Sequence, residues 1–132
     1  KSCKLGECCN NYGAHNKYCY RAQCFETARN LIKKMEISEG DYTISFQSRL
    51  GKTPWIKPYT DEVIVKLAQE GKKNILAFSP SFVADCLETT IEMGETYLEL
   101  FQEHGGEHLQ LVESLNEHPL WIEALKEMIL SQ

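Results

Sequence analysis

Short apolar runs alternate with longer amphipathic stretches along most of this chain, and this alternation limits the folds open to it. The first predicted elements are a helix from Arg21 with apolar residues at Phe25, Ala28, Ile32 and Met35, a strand at Tyr42–Phe46, and a helix that Thr60 can cap and that ends near Gly71. They are followed by a buried strand at Asn74–Ser79 and a long helix from Ser81 to about Glu103, closed by Gly105 and Gly106. The last elements are a strand at Leu109–Val112 and a helix with Pro119 in its first turn. Strands alternating with helices of this length predict a three-layer α/β fold with a mostly parallel sheet.

The size and charge of the chain exclude several classes of protein. Its 132 residues suit one domain, and its net charge of -5 comes with basic residues scattered singly, so no basic stripe is available for nucleic acid. The sequence has no apolar run of the roughly 18 residues that a membrane-spanning helix needs, and its start does not resemble a signal peptide. We therefore expect a soluble, intracellular protein. Because the chain opens at Lys1 without Met, in a Cys-rich loop, we also expect that an upstream part has been cut away.

The long helix predicted after Ser81 carries a row of carboxylates. Glu88, Glu92, Glu95 and Glu99 recur at four, three and four residues, which places them on one ridge of an α-helix. The apolar stripe of the same helix consists of Val83, Leu87, Ile91, Gly94, Leu98 and Phe101. Because each carboxylate follows a stripe residue by one position, we expect the row to border the core and to have raised pKa values. Metal delivery and proton removal both fit such a row, and an ordinary solvated helix flank is the alternative.

Cysteines crowd the first part of the chain, where no helical or strand periodicity is sustained. Five of them fall within 22 residues: Cys3, Cys8, Cys9, Cys19 and Cys24. We expect an irregular, liganded loop over the first 20 or so residues. Disulfides are one alternative, although the helix and strand pattern of the rest suits a cytosolic enzyme. Four thiolates can also hold zinc or an iron–sulfur cluster, and the spacing does not separate these two.

A loop broken by Gly and Pro follows the predicted strand at Tyr42–Phe46 and contains a second candidate site. Trp55 lies between Pro54 and Pro58, and a basic residue, Arg49, lies shortly before them. An indole on such a loop can stack on a large flat ligand, and a guanidinium can meet a carboxylate of that ligand. A loop Trp that covers the edge of a core is the alternative.

Three long motifs resemble one family. They are ISFQSRLGKTPWIKPYTDE at Ile44–Glu62, GKKNILAFSPSFVADCLET at Gly71–Thr89, and VESLNEHPLWIEAL at Val112–Leu125. The resemblance covers the chain from about Gln23 to its end, and it is to the C-terminal half of ferrochelatase, which inserts ferrous iron into protoporphyrin IX to form protoheme. It implies a chelatase-like (Rossmann-like) domain that lacks its first strand and so has an unpaired sheet edge. Residues 1–20 would be a cysteine-rich insertion loop and residues 21–132 the C-terminal ferrochelatase-like domain.

The resemblance also implies roles for individual residues. In ferrochelatases the Glu of the second motif, here Glu88, lies in the active site and takes part in handling pyrrole protons or the incoming metal. Further acids along a π-bulged helix line a path from it to the surface, here Glu92. The next family position falls at Thr96, so Glu95 is a substitute, and many relatives have His at Cys86. Four residues would form the porphyrin site: Trp55 as a macrocycle contact, Ser48 and Arg49 in support, and Phe82 as a weaker candidate.

The cysteine loop resembles the internal insertion that holds a [2Fe-2S] cluster in certain bacterial ferrochelatases. This resemblance implies that the cluster ligands are Cys3, Cys8, Cys9 and Cys19. Cys24 is a substitute for one of the adjacent pair Cys8 and Cys9, and a Rieske-like role for His15 is a further alternative. Cluster-bearing relatives perform no redox chemistry during insertion, so the loop would be structural or regulatory.

One family motif has no counterpart in this chain, and it bears on activity. The catalytic His of ferrochelatases lies in a Ser-x-His motif that should precede the chain, and their active site lies between two similar halves. We therefore expect this chain alone to be inactive or nearly so, with the N-terminal half, protoporphyrin IX and ferrous iron as its partners and a dimer as a further assembly. The expected location is the cytoplasm, at the periphery of the inner membrane. The alternatives are a cobalt or nickel tetrapyrrole chelatase and a non-catalytic module stabilised by zinc or an iron–sulfur cluster.

Overall fold

The structure is a computed structural model that describes residues 7–49, 51 and 54–131. The chain divides into two compact units, Lys1–Tyr59 and Thr60–Gln132. The predicted boundary after residue 20 stays a prediction.

The N-terminal unit contains one long helix after a short 3-10 turn at Glu7–Cys9. Helix α1 spans Tyr20–Lys34, which confirms the helix predicted from Arg21. Lys33 and Lys34 lie in its last turn, where positive charge interacts favourably with the carboxyl end of the helix dipole.

The strand predicted at Tyr42–Phe46 is wrong, because only one residue of it pairs. Phe46 forms an isolated parallel bridge with Tyr59, and its N–H donates to the carbonyl of Pro58 at 2.9 Å. Pro58 has no N–H to return to the ladder, so the pairing cannot continue through it. The Phe46 ring instead meets that of Phe25 on α1, with the ring centroids 6.1 Å apart.

The C-terminal unit has an α/β arrangement around a parallel sheet, as predicted. Its elements are α2 (Thr60–Gln69), β1 (Asn74–Ala77), a π-helix (Glu88–Thr96) that continues as α3 (Tyr97–Glu103), β2 (His108–Leu111) and α4 (Pro119–Leu130). Strands β1 and β2 pair in parallel, from Asn74 with His108 to Ala77 with Leu111. The helix predicted at the Thr60 cap is confirmed, with Thr60 as the first residue of α2, and Pro119 lies in the first turn of α4 as predicted.

The core of this unit lies where α2, the π-helix, α3 and β2 meet. Its buried members are Ile64, Ala68, Met93, Tyr97, Phe101 and Leu109, and Ile75 and Ala77 of β1 pack against them. The prediction that β1 is buried is therefore correct for one side only, since Leu76 points away from this cluster and is 65% exposed. Successive side chains of a strand alternate between faces, and within the described residues only one face of this short sheet is packed.

The turn after α3 is closed by two glycines, as predicted. Gly105 has a φ of 101°, a region that favours glycine. A Cβ at Gly106 would lie 2.3 Å from the ring of Phe101, so the close approach of this turn to the core requires glycine. The Gly106 N–H donates to the Phe101 carbonyl at 2.8 Å and so satisfies a group at the end of the helix.

The long helix does not begin at Ser81, which corrects the prediction. The π-helix begins at Glu88, Leu87 directly before it already has helical backbone angles, and the residues before Leu87 form an irregular loop. The N–H of Asp85 donates to the side chain of Asn116, and the N–H of Cys86 donates to the hydroxyl of Thr89, each at 2.9 Å. Side chains thus accept from the N–H groups at this end of the helix, where no earlier helical turn supplies carbonyl acceptors.

Candidate active site

The π-helix changes which side of this segment faces the core. A π-helix has hydrogen bonds between residues five apart, so its turns are wider than those of an α-helix and residues four apart stay close to one face. Four residues at this spacing are buried: Thr89, Met93, Tyr97 and Phe101. The predicted apolar stripe is wrong at Val83, Leu87 and Ile91, whose side chains are exposed. Glu88 and Glu92 therefore border an open apolar surface rather than the core.

This surface is a shallow depression of about 280 Å³ on the outer side of the π-helix. Its lining residues are Leu87, Glu88, Ile91, Glu92 and Thr96. We call it the Glu88 surface. It combines two exposed apolar side chains with two carboxylates, a composition that suits a flat, largely apolar ligand bearing a polar centre.

Glu88 lies at the start of the π-helix and is exposed. Its pKa is held below the usual glutamate value because its own backbone N–H and then the Cys86 thiol donate hydrogen bonds to the carboxylate, which outweighs a small opposing effect of burial. The expectation of a raised pKa is therefore wrong for Glu88. A carboxylate of this kind is ionised at neutral pH, which favours attraction of a cation.

Glu92 lies one turn further along the same surface and is half-buried. The hydroxyl of Tyr97, itself a core residue, donates to Glu92 Oε1 at 2.7 Å. This hydrogen bond restrains the Glu92 side chain against the body of the helix. The next lining residue is Thr96, whereas Glu95 is exposed and does not line the depression.

The described part of the chain contains no group of three His, Cys, Asp or Glu side chains placed to hold one metal ion. Glu88 and Glu92 thus offer carboxylates without a third such ligand from these residues. Phe82 is half-buried, its N–H donates to the Ser79 carbonyl at 3.0 Å, and it does not line the Glu88 surface.

The loop that carries Trp55 belongs to the N-terminal unit. The indole N–H donates to the Gln47 carbonyl at 2.9 Å, and the side chain remains 40% exposed. Ser48 has a φ of 64°, so the chain turns sharply beside this contact. The loop therefore holds an indole in a fixed direction while part of its ring surface stays open to a ligand.

Two cations share one aromatic ring in the same unit. The Arg49 guanidinium lies 4.5 Å and the Lys57 ammonium 4.9 Å from the centroid of Tyr59. Each is within the distance at which a ring attracts a cation. Sequence reasoning singled out Arg49 and missed Lys57, which no spacing rule marks; its only signal is its position between Trp55 and Tyr59.

The cysteine loop is organised around Asn16 and Cys9. The Asn16 amide donates to the carbonyls of Cys8 and Asn11 and accepts from the N–H of Gly13. Cys9 is buried, and the Arg21 guanidinium donates to its sulfur at 2.9 Å. This contact places a positive charge directly beside the Cys9 sulfur.

The described cysteines do not by themselves form a cluster site. Cys8, Cys19 and Cys24 are half-buried, no disulfide joins the described cysteines, and no three of them gather as metal ligands. Cys3 lies outside the described residues. The donor to Cys9 fits a ligand role for that thiol, but the four-thiolate set as predicted is not assembled by the residues that the structure describes.

A protein-family model described as ferrochelatase matches residues 8–132, which is nearly the whole chain. The chain belongs to the ferrochelatase family. Its curated relatives include proteins named ferrochelatase from Legionella pneumophila strain Lens, 50% identical over 117 residues, from Pseudomonas fluorescens strain SBW25, 50% identical over 123, and from Coxiella burnetii strain Dugway, 44% identical over 131.

These matches cover 89%, 92% and 96% of this chain but only 35%, 36% and 37% of the three relatives. The chain thus spans about a third of the length of the ferrochelatases it matches. The Trp55 loop lies in one of its two units and the Glu88 surface in the other. No helix among the described residues has the length and hydropathy needed to cross a membrane.

Proposed function

We propose that this chain forms part of a ferrochelatase that inserts ferrous iron into protoporphyrin IX to form protoheme. The observation that carries the proposal is the Glu88 surface, where an ionised carboxylate and a restrained one flank exposed apolar side chains on a π-helix. Membership of the ferrochelatase family supports it. The activity belongs to the whole enzyme, of which this chain matches about a third.

Insertion exchanges two protons for one metal ion: ferrous iron enters the macrocycle, and the two pyrrole N–H groups lose their protons. Glu88 meets the iron or a pyrrole proton at the centre of the ring, because it is ionised and exposed. Glu92 is the next carboxylate on the path, and the Tyr97 hydroxyl keeps it oriented. Leu87 and Ile91 contact the apolar face of the macrocycle. Glu95 is retained as a substitute on the outer path.

The Trp55 loop of the N-terminal unit is proposed by itself as a porphyrin contact. The indole is fixed by its bond to Gln47 and partly open, which supports stacking on the macrocycle. Arg49, supported by Ser48, pairs with a propionate, and Lys57 adds positive charge near Tyr59. Phe82 is a further macrocycle contact.

The proposed partners follow from the length of the match. The remainder of the enzyme completes the active site and supplies the catalytic His, so the chain alone has little or no activity. A dimer and a cytoplasmic location at the inner membrane periphery complete the proposal.

The [2Fe-2S] cluster is a separate proposal for the cysteine loop. It rests on the density of thiols and on the Arg21 donor at Cys9, and its ligands are Cys3, Cys8, Cys9 and Cys19, with Cys24 as substitute for one of the adjacent pair. Iron, zinc and acid-labile sulfide analysis of anaerobically purified protein, with a visible spectrum, tests it. Stoichiometric zinc, or thiols without metal, would remove the cluster and leave the family assignment intact.

The activity is tested in a chimeric enzyme. The 117-residue matched segment of the Legionella pneumophila ferrochelatase is replaced by the corresponding part of this chain, and iron insertion is measured by the fluorescence loss of protoporphyrin IX. We expect the chimera to be active and Glu88→Gln to lower kcat by about 100-fold or more, the range for loss of a group that moves a proton.

Glu103→Gln, at the exposed end of α3, is the matched control and should leave turnover unchanged. Glu95→Gln tests whether the metal path continues from Glu92 to Thr96 or to Glu95. The variant should retain turnover if the path follows the Glu88 surface to Thr96. An inactive chimera with native-like circular dichroism, or full turnover in Glu88→Gln, would contradict the proposed function.

A further inference from the structure

Four hydrogen bonds join the loop before the π-helix to the segment after β2. Asn116 Nδ2 donates to Asp85 Oδ2 at 2.8 Å, and the Asp85 N–H donates back to Asn116 Oδ1 at 2.9 Å. The Ser114 N–H donates to Asp85 Oδ1 at 3.3 Å, and the Asn116 N–H donates to the Val83 carbonyl at 2.9 Å. We call this set the Asp85–Asn116 clasp.

The backbone at Asn116 is adapted to the clasp. Its φ is 46°, a left-handed conformation that asparagine adopts more readily than most side chains. This turn of the chain lets one residue use its backbone N–H, its amide donor and its amide acceptor against the same loop. The donors from Asn116 and Ser114 also lower the pKa of Asp85, so the carboxylate stays ionised and keeps accepting them.

The clasp lies directly before the residues that set the direction of Glu88. One residue after Asp85, the Cys86 N–H donates to the hydroxyl of Thr89, which is fully buried. The Cys86 thiol then donates to the Glu88 carboxylate. A continuous chain of contacts therefore runs from Asn116 through Asp85 and Cys86 to Glu88, while Asp85 directs both of its oxygens toward residues 114–116.

We propose that Asn116 is a positioning residue for Glu88, acting through Asp85 to fix where the π-helix begins. The inference rests on the proposed function, because it assigns Asn116 to the same carboxylate. It makes Asp85 a member of the clasp rather than a group that touches the metal. Residues 114–116 thus influence the position of Glu88 through Asp85, although they do not line the Glu88 surface themselves.

Exchanging the two residues separates positioning from charge. In the double variant Asp85→Asn with Asn116→Asp, the new asparagine amide donates to the new carboxylate, and all four hydrogen bonds can form. In Asp85→Asn alone, two side-chain amides face each other. In Asn116→Asp alone, two carboxylates face each other. Each single variant therefore loses at least one hydrogen bond of the clasp. The exchange moves the negative charge across the clasp while preserving its geometry.

The variants are measured in the chimeric enzyme, at a temperature well below every melting point. Each single variant should lower kcat by about tenfold or more, because a small misplacement of a reacting group costs up to about 100-fold, with little change in KM for iron or porphyrin. The double exchange should return kcat to within about threefold of the parent enzyme. Its loss of kcat is then smaller than the tenfold loss expected of each single variant, which corresponds to about 1.4 kcal/mol of activation free energy. A double exchange that restores the melting point but stays as slow as Asp85→Asn would overturn the positioning role and assign the charge of Asp85 itself.

Lys73→Met is the matched control. Lys73 makes a comparable link between the segments that precede β1 and β2, donating to the Gly105 carbonyl at 2.7 Å. Neither residue belongs to the Asp85–Asn116 clasp or lines the Glu88 surface. Loss of this link should leave kcat unchanged. Glu88→Gln separates the proposed function from the inference about Asn116. If Glu88→Gln abolishes turnover but the single clasp variants keep full turnover, only the inference about Asn116 fails. If Glu88→Gln keeps full turnover, the proposed function and the inference fail together.

Discussion

Thr89 offers a direct test of how the start of the π-helix is held. Its hydroxyl is fully buried, accepts a hydrogen bond from the Cys86 N–H at 2.9 Å and donates one to the Cys86 carbonyl at 3.0 Å. Valine has nearly the same shape but can make neither bond. At about 0.5–1.5 kcal/mol for each neutral hydrogen bond, Thr89→Val should lower the free energy of unfolding by about 1–3 kcal/mol.

The neighbouring Thr90 supplies the control. Its hydroxyl donates to the same Cys86 carbonyl at 2.9 Å, but the residue is exposed and caps no N–H group. Thr90→Val should therefore change the free energy of unfolding by no more than about 0.5 kcal/mol. Urea unfolding of the chain, followed by circular dichroism, measures both variants at once. Equal midpoints for the two variants would refute the argument that the buried hydroxyl holds the helix start.

Three further outcomes follow from particular contacts. The hydrogen bonds at Asp85 lower its pKa in the folded state, so they stabilise the protein above the unfolded pKa and lose this effect as pH falls through the folded one. In acid unfolding curves the destabilisation by Asp85→Asn should therefore be present at pH 7 and should shrink as pH falls below the unfolded pKa of about 3.9. Gly106→Ala should lower stability by about 1–3 kcal/mol because the new methyl overlaps the Phe101 ring, whereas Gly94→Ala, with its nearest neighbour at 3.7 Å, should be neutral or stabilising in the same urea assay. Cys9→Ser should reduce bound iron and sulfide in anaerobically purified protein, and an unchanged metal content would exclude Cys9 as a ligand.

Local signals predicted several elements correctly. Thr60 begins α2, Pro119 begins α4, and the Gly105–Gly106 turn ends α3, because each of these residues fixes the backbone or a cap where it stands. The helical spacing from Phe25 onward likewise predicted α1. These features depend on residues within about one turn of each other, so a single sequence contains the information.

Features that depend on distant residues could not be predicted in the same way. The N–H of Asp85 donates to the side chain of Asn116, which lies some thirty residues later in the sequence. This contact helps to hold the segment after Ser81 as a loop, so that the helix begins later than predicted. The strand expected at Tyr42–Phe46 fails for a related reason, since its partner segment presents Pro58. Neither partner is recognisable from the periodicity of the segment that it alters.

The π-helix accounts for the largest difference between the predicted and the observed site. With α-helical spacing, four carboxylates would share one ridge; with the wider turns, Glu88 and Glu92 stay on one surface, Thr96 follows them, and Glu95 does not line it. A row of four acids thereby becomes a pair beside apolar side chains. In the proposed reaction this is an advantage, because iron is a substrate that must leave the protein for the macrocycle, and ligands that held it tightly would bind the ground state without speeding insertion.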